Sequence, residues 1–201
     1  MDETFKQRGD YMEIVFIRHG HGEHLIDYPH QLNKLHPGLT SRGISQIQTL
    51  RQELPIYDED LVLVSPTKRT IETARILCPA KKIYVTPLVG PRMFPQNPDY
   101  PALVCDEIYT KEEVRVFDPE CEVLDLGLDC WTEGINRMDQ NVFEIYAGKL
   151  LDWCLGRAKR VIIISHDGTI TNYRLLLGEK DLTRDDFLGE AGVFETKIFS
   201  H

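Results

Sequence analysis

The stretch Ile17-Arg18-His19-Gly20-His21-Gly22-Glu23-His24 places three histidines within six positions, directly after the apolar run that ends at Phe16. Two chemistries fit those residue types. As H-x-H-x-E-H it could gather a metal ion, since neutral imidazoles and a carboxylate suit zinc. As Arg-His-Gly it could hold a phosphate, with a guanidinium beside a nucleophilic imidazole. The metal reading needs further ligands downstream, yet no histidine lies between His36 and His166. It also leaves two other marked segments, Ser65-Pro66-Thr67-Lys68-Arg69 and Ser165-His166-Asp167-Gly168, without a role.

The phosphate reading uses both segments. Arg18, His19, Arg69 and His166 together make two guanidiniums and two imidazoles around a volume suited to a tetrahedral dianion. The planar fork of arginine meets phosphate oxygens in pairs. Taken singly, Arg69 reads as a surface residue and His166 as a satisfied core histidine. What singles them out is that each of the three segments follows an apolar run.

Those runs are the elements that must position the chemistry. Glu13 to Ile17 reads as a buried strand ending in a turn at Gly20. Thr40 caps a helix with Ile44, Ile47, Leu50 and Leu54 at helical spacing, stopped by Pro55. Leu61 to Val64 is a second strand, and Ser65-Pro66 predicts a helix over 66–77 with serine as the cap and proline at its first position. Ile83 to Val85 is a third strand. The segment 86–130 carries five prolines between Pro87 and Pro101 and reads as an irregular insertion over the site. Ile135, Met138, Val142, Ile145, Tyr146, Leu150 and Trp153 predict a long amphipathic helix over 132–154. Val161 to Ser165 is the clearest strand, followed by a helix to Leu177 and a last strand, Val193 to Phe199. Alternating strands and helices predict an α/β fold, a three-layer α/β/α sandwich with a mostly parallel central sheet and a ligand site at the carboxyl ends of its strands.

Composition narrows the function classes. The chain has 201 residues, 42% of them hydrophobic, enough for one domain over 1–201 with a flexible leader at 1–11. A net charge of −9 argues against nucleic acid as a partner, because such proteins gain affinity from basic faces. No apolar run reaches the roughly 20 residues that span a bilayer, so no membrane partner is expected. The five cysteines form no C-x-x-C pair, which fits reduced thiols and a cytoplasmic location.

Four segments together resemble the histidine phosphatase superfamily, the phosphoglycerate-mutase-like fold. They are RHG at 18–20, HPGLTSRGISQ at 36–46, SPTKRTIETA at 65–74 and SHDGTI at 165–170. The resemblance implies that His19 is the nucleophile and becomes a phosphohistidine, while Arg18, Arg69 and His166 hold the phosphate oxygens. It implies a small phosphorylated substrate and neither metal nor cofactor. His24 is placed in the pocket because relatives reading RHGxGxH carry a histidine there; His21, His30 and His36 remain loop residues.

Two departures stand out. Relatives often have an asparagine six residues beyond the nucleophile, where this chain has Leu25. Many have a glutamate acid shortly after the third strand, where this chain has Gly90. A Cys-Asp pair in this region of fungal-type relatives points to Asp106 as the replacement acid, with Glu107, Glu23 and Asp167 as alternatives. Without such an acid, substrates with good leaving groups, such as phosphoramidates, would be favoured. The expected activity is metal-independent hydrolysis of small phosphomonoesters. A cofactor-dependent phosphoglycerate mutase and a non-catalytic phosphate-binding module are the alternatives, and the segment 86–130 is where substrate choice would reside.

Overall fold

Leu61–Val64 is buried at every position, the pattern of a strand covered on both faces rather than one facing water. The computed structural model, which describes residues 11–97 and 99–199, shows why. Six strands form one sheet: β1 (Tyr11–Arg18), β2 (Leu61–Val64), β3 (Ile83–Val85), β4 (Glu122–Val123), β5 (Arg160–Ser165) and β6 (Val193–Phe199), in the order β4-β3-β2-β5-β1-β6. All neighbours are parallel except β6, which runs antiparallel to β1.

Alternate residues of the central strands enter two separate cores. Phe16, Leu63 and Ile163 face α4 (Gln140–Cys154) and α5 (Asp167–Leu176). Ile17, Val64 and Ile164 face α1 (Ser41–Glu53), α2 (Lys68–Leu77) and α3 (Lys111–Phe117). The architecture is thus the expected α/β/α sandwich. Among the described residues, no helix is long and apolar enough to cross a membrane.

Several boundaries differ from the sequence expectation for identifiable reasons. Positions 1–10 of the expected leader lie outside the described residues, while Tyr11 already pairs with Phe199 in the sheet. Helix α2 begins at Lys68, not at Pro66, and its cap is Thr67. Ser65 lies two residues before that cap, and its hydroxyl lies 2.8 Å from a ring nitrogen of His166. Helix α4 begins at Gln140, not at Thr132; Gly134 has φ +67, and Asp139 accepts from the amides of Asn141 and Val142. Its core stripe is Phe143, Ala147, Leu150, Leu151 and Cys154, while Val142 and Ile145 are 39% and 58% exposed. The segment expected to be irregular contains regular elements at 111–117 and 122–123. It holds α3, opened by a Thr110–Glu113 capping box, and adds β4 to the sheet edge beside β3.

Two glycines of the marked segments let the loop after β1 settle onto the first turn of α1. A Cβ on Gly20 would stand 2.7 Å from the Gly43 carbonyl oxygen, and one on Gly43 would stand 2.3 Å from the His21 carbonyl oxygen. Thr40 caps α1 as expected, accepting from the Gly43 amide at 3.1 Å.

Candidate active site

Strands β2, β5 and β1 are neighbours in the sheet, so the segments that follow them emerge side by side. The register is level: Arg18 lies opposite Ser165, and Val64 opposite Ile164. His19 and His166 therefore meet with ring centroids 5.2 Å apart, and His24 comes within 5.8 Å of His19. Arg69, in the first turn of α2, lies fully buried among them.

Hydrogen bonds fix the tautomers. Nε of Arg69 donates to Nε2 of His19 at 3.3 Å, and a guanidinium can only donate, so Nε2 carries the lone pair. Nδ1 lies 2.7 Å from the Gly20 carbonyl oxygen, which can only accept, so the ring proton sits there. The same logic applies to His166. Its Nδ1 accepts from Nη2 of Arg69 at 3.2 Å, so Nε2–H donates to the Ser65 hydroxyl at 2.8 Å.

Burial first, and the Arg69 guanidinium second, hold His19 and His166 well below the ordinary imidazole range. The same two causes bring His24 down to about 3. All three rings are thus neutral at neutral pH. Among the described residues, Nδ1 of His24 and Nε of Arg18 are buried without a hydrogen-bond partner.

Each guanidinium also meets a carboxylate. Nη2 of Arg18 lies 2.9 Å from Asp167, and its Nη1 donates to the Leu188 carbonyl at 2.6 Å. Nη2 of Arg69 lies 3.2 Å from Oδ1 of Asp106, and its Nη1 donates to the Cys105 carbonyl at 2.7 Å. Asp106 thus reaches the cluster from the turn Val104–Asp106, and burial raises its pKa against the pull of Arg69. Gly90 itself has no room for an acid: a Cβ there would stand 2.9 Å from the Pro87 carbonyl oxygen, and its own carbonyl accepts from Thr169.

The structure brings together His19, His166, Asp106, Arg18, Arg69 and His24. Of the alternative acids, Asp167 joins the cluster through its pair with Arg18, while Glu23 and Glu107 lie elsewhere. Glu23 accepts from the Gly38 amide and pairs with Lys34 at 3.0 Å, and Glu107 is exposed. His21 turns its ring to the Thr40 hydroxyl at 2.9 Å, so the H-x-H-x-E-H spacing does not converge. Among the described residues no group of three or more histidine, cysteine or carboxylate side chains is arranged around a common metal position. Two contributors are not read as site residues in the sequence. Ser65 orients His166, and Asn136, in a stretch that reads as helix, donates to Oδ2 of Asp106 at 3.3 Å.

The site therefore sits on a six-stranded, mostly parallel sheet, with Arg18, His19 and His166 at adjoining strand ends and Arg69 in the first turn of the following helix. Residues 14–90, which contain Arg18, His19 and Arg69, match the family model of the histidine phosphatase superfamily (branch 1). No curated protein matches the sequence. Among solved structures, the fold resembles a phosphoserine phosphatase from Entamoeba histolytica in complex with phosphoserine, at 19% identity and TM-score 0.57, covering 94% of this chain and 95% of that one. It resembles the alpha-ribazole phosphatase from Shigella flexneri at 20% identity and TM-score 0.54, over 92% of this chain and 89% of that one. It also resembles the mycobacterial glucosyl-3-phosphoglycerate phosphatase in complex with VO3, at 13% identity and TM-score 0.57, over 92% of each chain. At these identities the likeness establishes the shared fold.

Proposed function

We propose that this protein is a metal-independent phosphatase that hydrolyses small phosphomonoesters through a phosphohistidine on His19. The observation that carries the reading is the state of that ring: neutral, with its Nε2 lone pair pointing at Arg69 inside a pocket that also holds Arg18 and His166. A neutral imidazole needs no base to activate it.

In the first step Nε2 gives up its contact with Arg69 and attacks phosphorus as the bond to the leaving oxygen breaks, that oxygen taking a proton from the Asp106 carboxyl. Arg18 and Arg69 hold non-bridging oxygens, and His166 joins them by turning its one ring proton from Ser65 to the phosphate, an arrangement in which single donors are worth about 3 kcal/mol. In the second step water attacks the phosphohistidine, Asp106 accepts its proton, and inorganic phosphate leaves with His19 restored. His24, packed against His19, lines the pocket wall. Hydrolysis, rather than transfer to a second sugar-acid oxygen, also agrees with the phosphatase names of the structural relatives. The free thiols at Cys78, Cys105, Cys121, Cys130 and Cys154 suit the reducing cytosol.

Phosphate release from an aryl phosphate, measured in EDTA for the wild type and for His19→Ala, tests the reading. Release that survives chelation and disappears in the variant supports it. Full activity in a folded His19→Ala protein, or loss of wild-type activity on chelation, rejects it.

A further inference from the structure

The cluster is balanced in charge before any phosphate arrives. Among the described residues its members are the guanidiniums of Arg18 and Arg69, the carboxylates of Asp167 and Asp106, and three imidazoles that burial keeps neutral. A doubly charged phosphate thus enters a buried site with no surplus positive charge, which is unfavourable unless the charge is compensated.

Arg69 is the more committed of the two guanidiniums. It has five N–H groups. Four contacts already draw on them: Nε to His19, Nη1 to the Cys105 carbonyl, and Nη2 to both Asp106 and His166. A two-point grip on phosphate needs two N–H groups, so at least one of these contacts must open. The contact to His19 opens only as Nε2 turns its lone pair to phosphorus, after the phosphate is already held, and the main-chain contact to Cys105 is the shortest at 2.7 Å. Asp106 is different in kind, since a carboxylate and a phosphate are rival oxyanions for the same edge of the guanidinium.

We propose that the substrate's phosphate displaces Asp106 from Arg69 and that the released carboxyl then takes up a proton from solvent on Oδ1, so that the leaving-group acid is loaded only when a phosphate occupies the site. Asn136 is the positioning residue. Its Nδ2 donates to Oδ2 of Asp106 at 3.3 Å, its Oδ1 accepts from the Met93 amide at 2.8 Å, and its carbonyl accepts from Gln96 at 3.0 Å. That tether stays in place when Oδ1 is freed, and it leaves Oδ1 as the oxygen that receives the proton.

The groups facing Asp106 agree with this. Burial favours its protonated form, and Arg69, from α2, is the strongest influence opposing that. Asp167, from α5, adds negative charge nearby while staying paired with Arg18. Asn136 favours the charged form, and the neighbouring Cys105 thiol, 3.9 Å away, is itself neutral. Removing the Arg69 contact therefore tips the balance toward the acid. The inference rests on the phosphatase reading, with Asp106 as its acid.

Titration calorimetry with tungstate tests it, because that tetrahedral dianion holds no proton of its own near neutral pH. Binding is measured in buffers of different ionisation enthalpy, which reveals proton uptake. The wild type is expected to take up about one proton per tungstate, and Asp106→Asn to bind tungstate with none. Should Asp106→Asn fail to fold, the wild type decides alone: its tungstate affinity falls about tenfold per pH unit between the carboxyl's pKa in the free enzyme and its higher pKa in the complex. Binding that is independent of pH and silent in proton uptake overturns the inference while leaving the phosphate site intact. Uptake that persists in Asp106→Asn overturns it in favour of an imidazole, His166 first. A wild type that binds no tungstate rejects the phosphate site itself, and the inference with it.

Discussion

Arg69 and Asp106 meet at 3.2 Å, yet they arrive from parts of the chain that are held in different ways. The floor of the pocket, with Arg18, His19, Ser65 and His166, consists of the last residues of three adjacent strands and those just beyond them. Its positions are set by the sheet register and by two cores that bury β2 and most of β1 and β5. The strap across it, residues 91–97, 99–106 and 131–139, is tied mainly by side chains gripping main chain. Arg92 donates to the carbonyls of Ile135 and Met138, and Asn136 and Gln96 hold the loop at Met93. A cooperative ladder resists single substitutions in place, so changes on the floor alter chemistry without moving it. Changes in the strap shift geometry by degrees.

The largest effect belongs to the floor. His19→Ala should reduce phosphate release by at least about a thousandfold, because the covalent step has no substitute nucleophile. A smaller loss in steady-state assays of the folded variant would break the distinction at its centre. Arg69→Lys should cost on the order of a hundredfold in kcat/KM, since an ammonium keeps the charge and loses the fork that reaches His19, Cys105 and Asp106 together. Retention of near wild-type kcat/KM would show that the fork is dispensable.

Acid should also find the floor first. His19, His24 and His166 are held neutral by burial, so their folded pKa values lie below those of the unfolded chain. Stability is then full above the ordinary imidazole pKa of about 6.5 and falls below it, by about 1.4 kcal/mol per pH unit for each histidine. Asp106, whose folded pKa is raised, contributes with the opposite sign, gaining as pH falls through its own lower range. Denaturant melts at neutral and mildly acidic pH measure the difference; a flat profile would mean the rings reach solvent. The smallest effect belongs to the strap. Asn136→Ala should lower kcat about fivefold to tenfold and move the alkaline limb of the rate profile, set by the proton-donating carboxyl, upward, because the carboxylate loses a donor. A uniform loss with an unmoved profile would mark Asn136 as merely structural.

This difference in construction also explains what the sequence could reveal. Strand runs such as Leu61–Val64 and Val161–Ser165 announce themselves by continuous burial, and the residues just after them carry Arg18, His19 and His166 to one rim. The caps at Thr40 and Thr110 follow from side-chain chemistry within one turn. Ser65 was legible as a cap and turned out otherwise, because its partner His166 lies 101 residues away. Asn136 had no signal at all: its role depends on Met93 and Asp106, which no periodicity connects to it. The phase of α4 was misjudged because Val142 and Ile145 are apolar yet face outward, while the smaller Ala147 and Cys154 pack inward.

The loop Leu188–Gly192 joins the two ends of the chain's history. It takes the Arg18 guanidinium on the Leu188 carbonyl, 170 residues away, and it pairs the Ala191 amide with the His19 carbonyl and the Gly192 carbonyl with the Arg18 amide. On the ribosome, β1 is made long before this loop exists. A nascent chain that already displays His19 therefore lacks the brace that seats it, and the nucleophile is complete only after the last strand has been translated and has closed against the first.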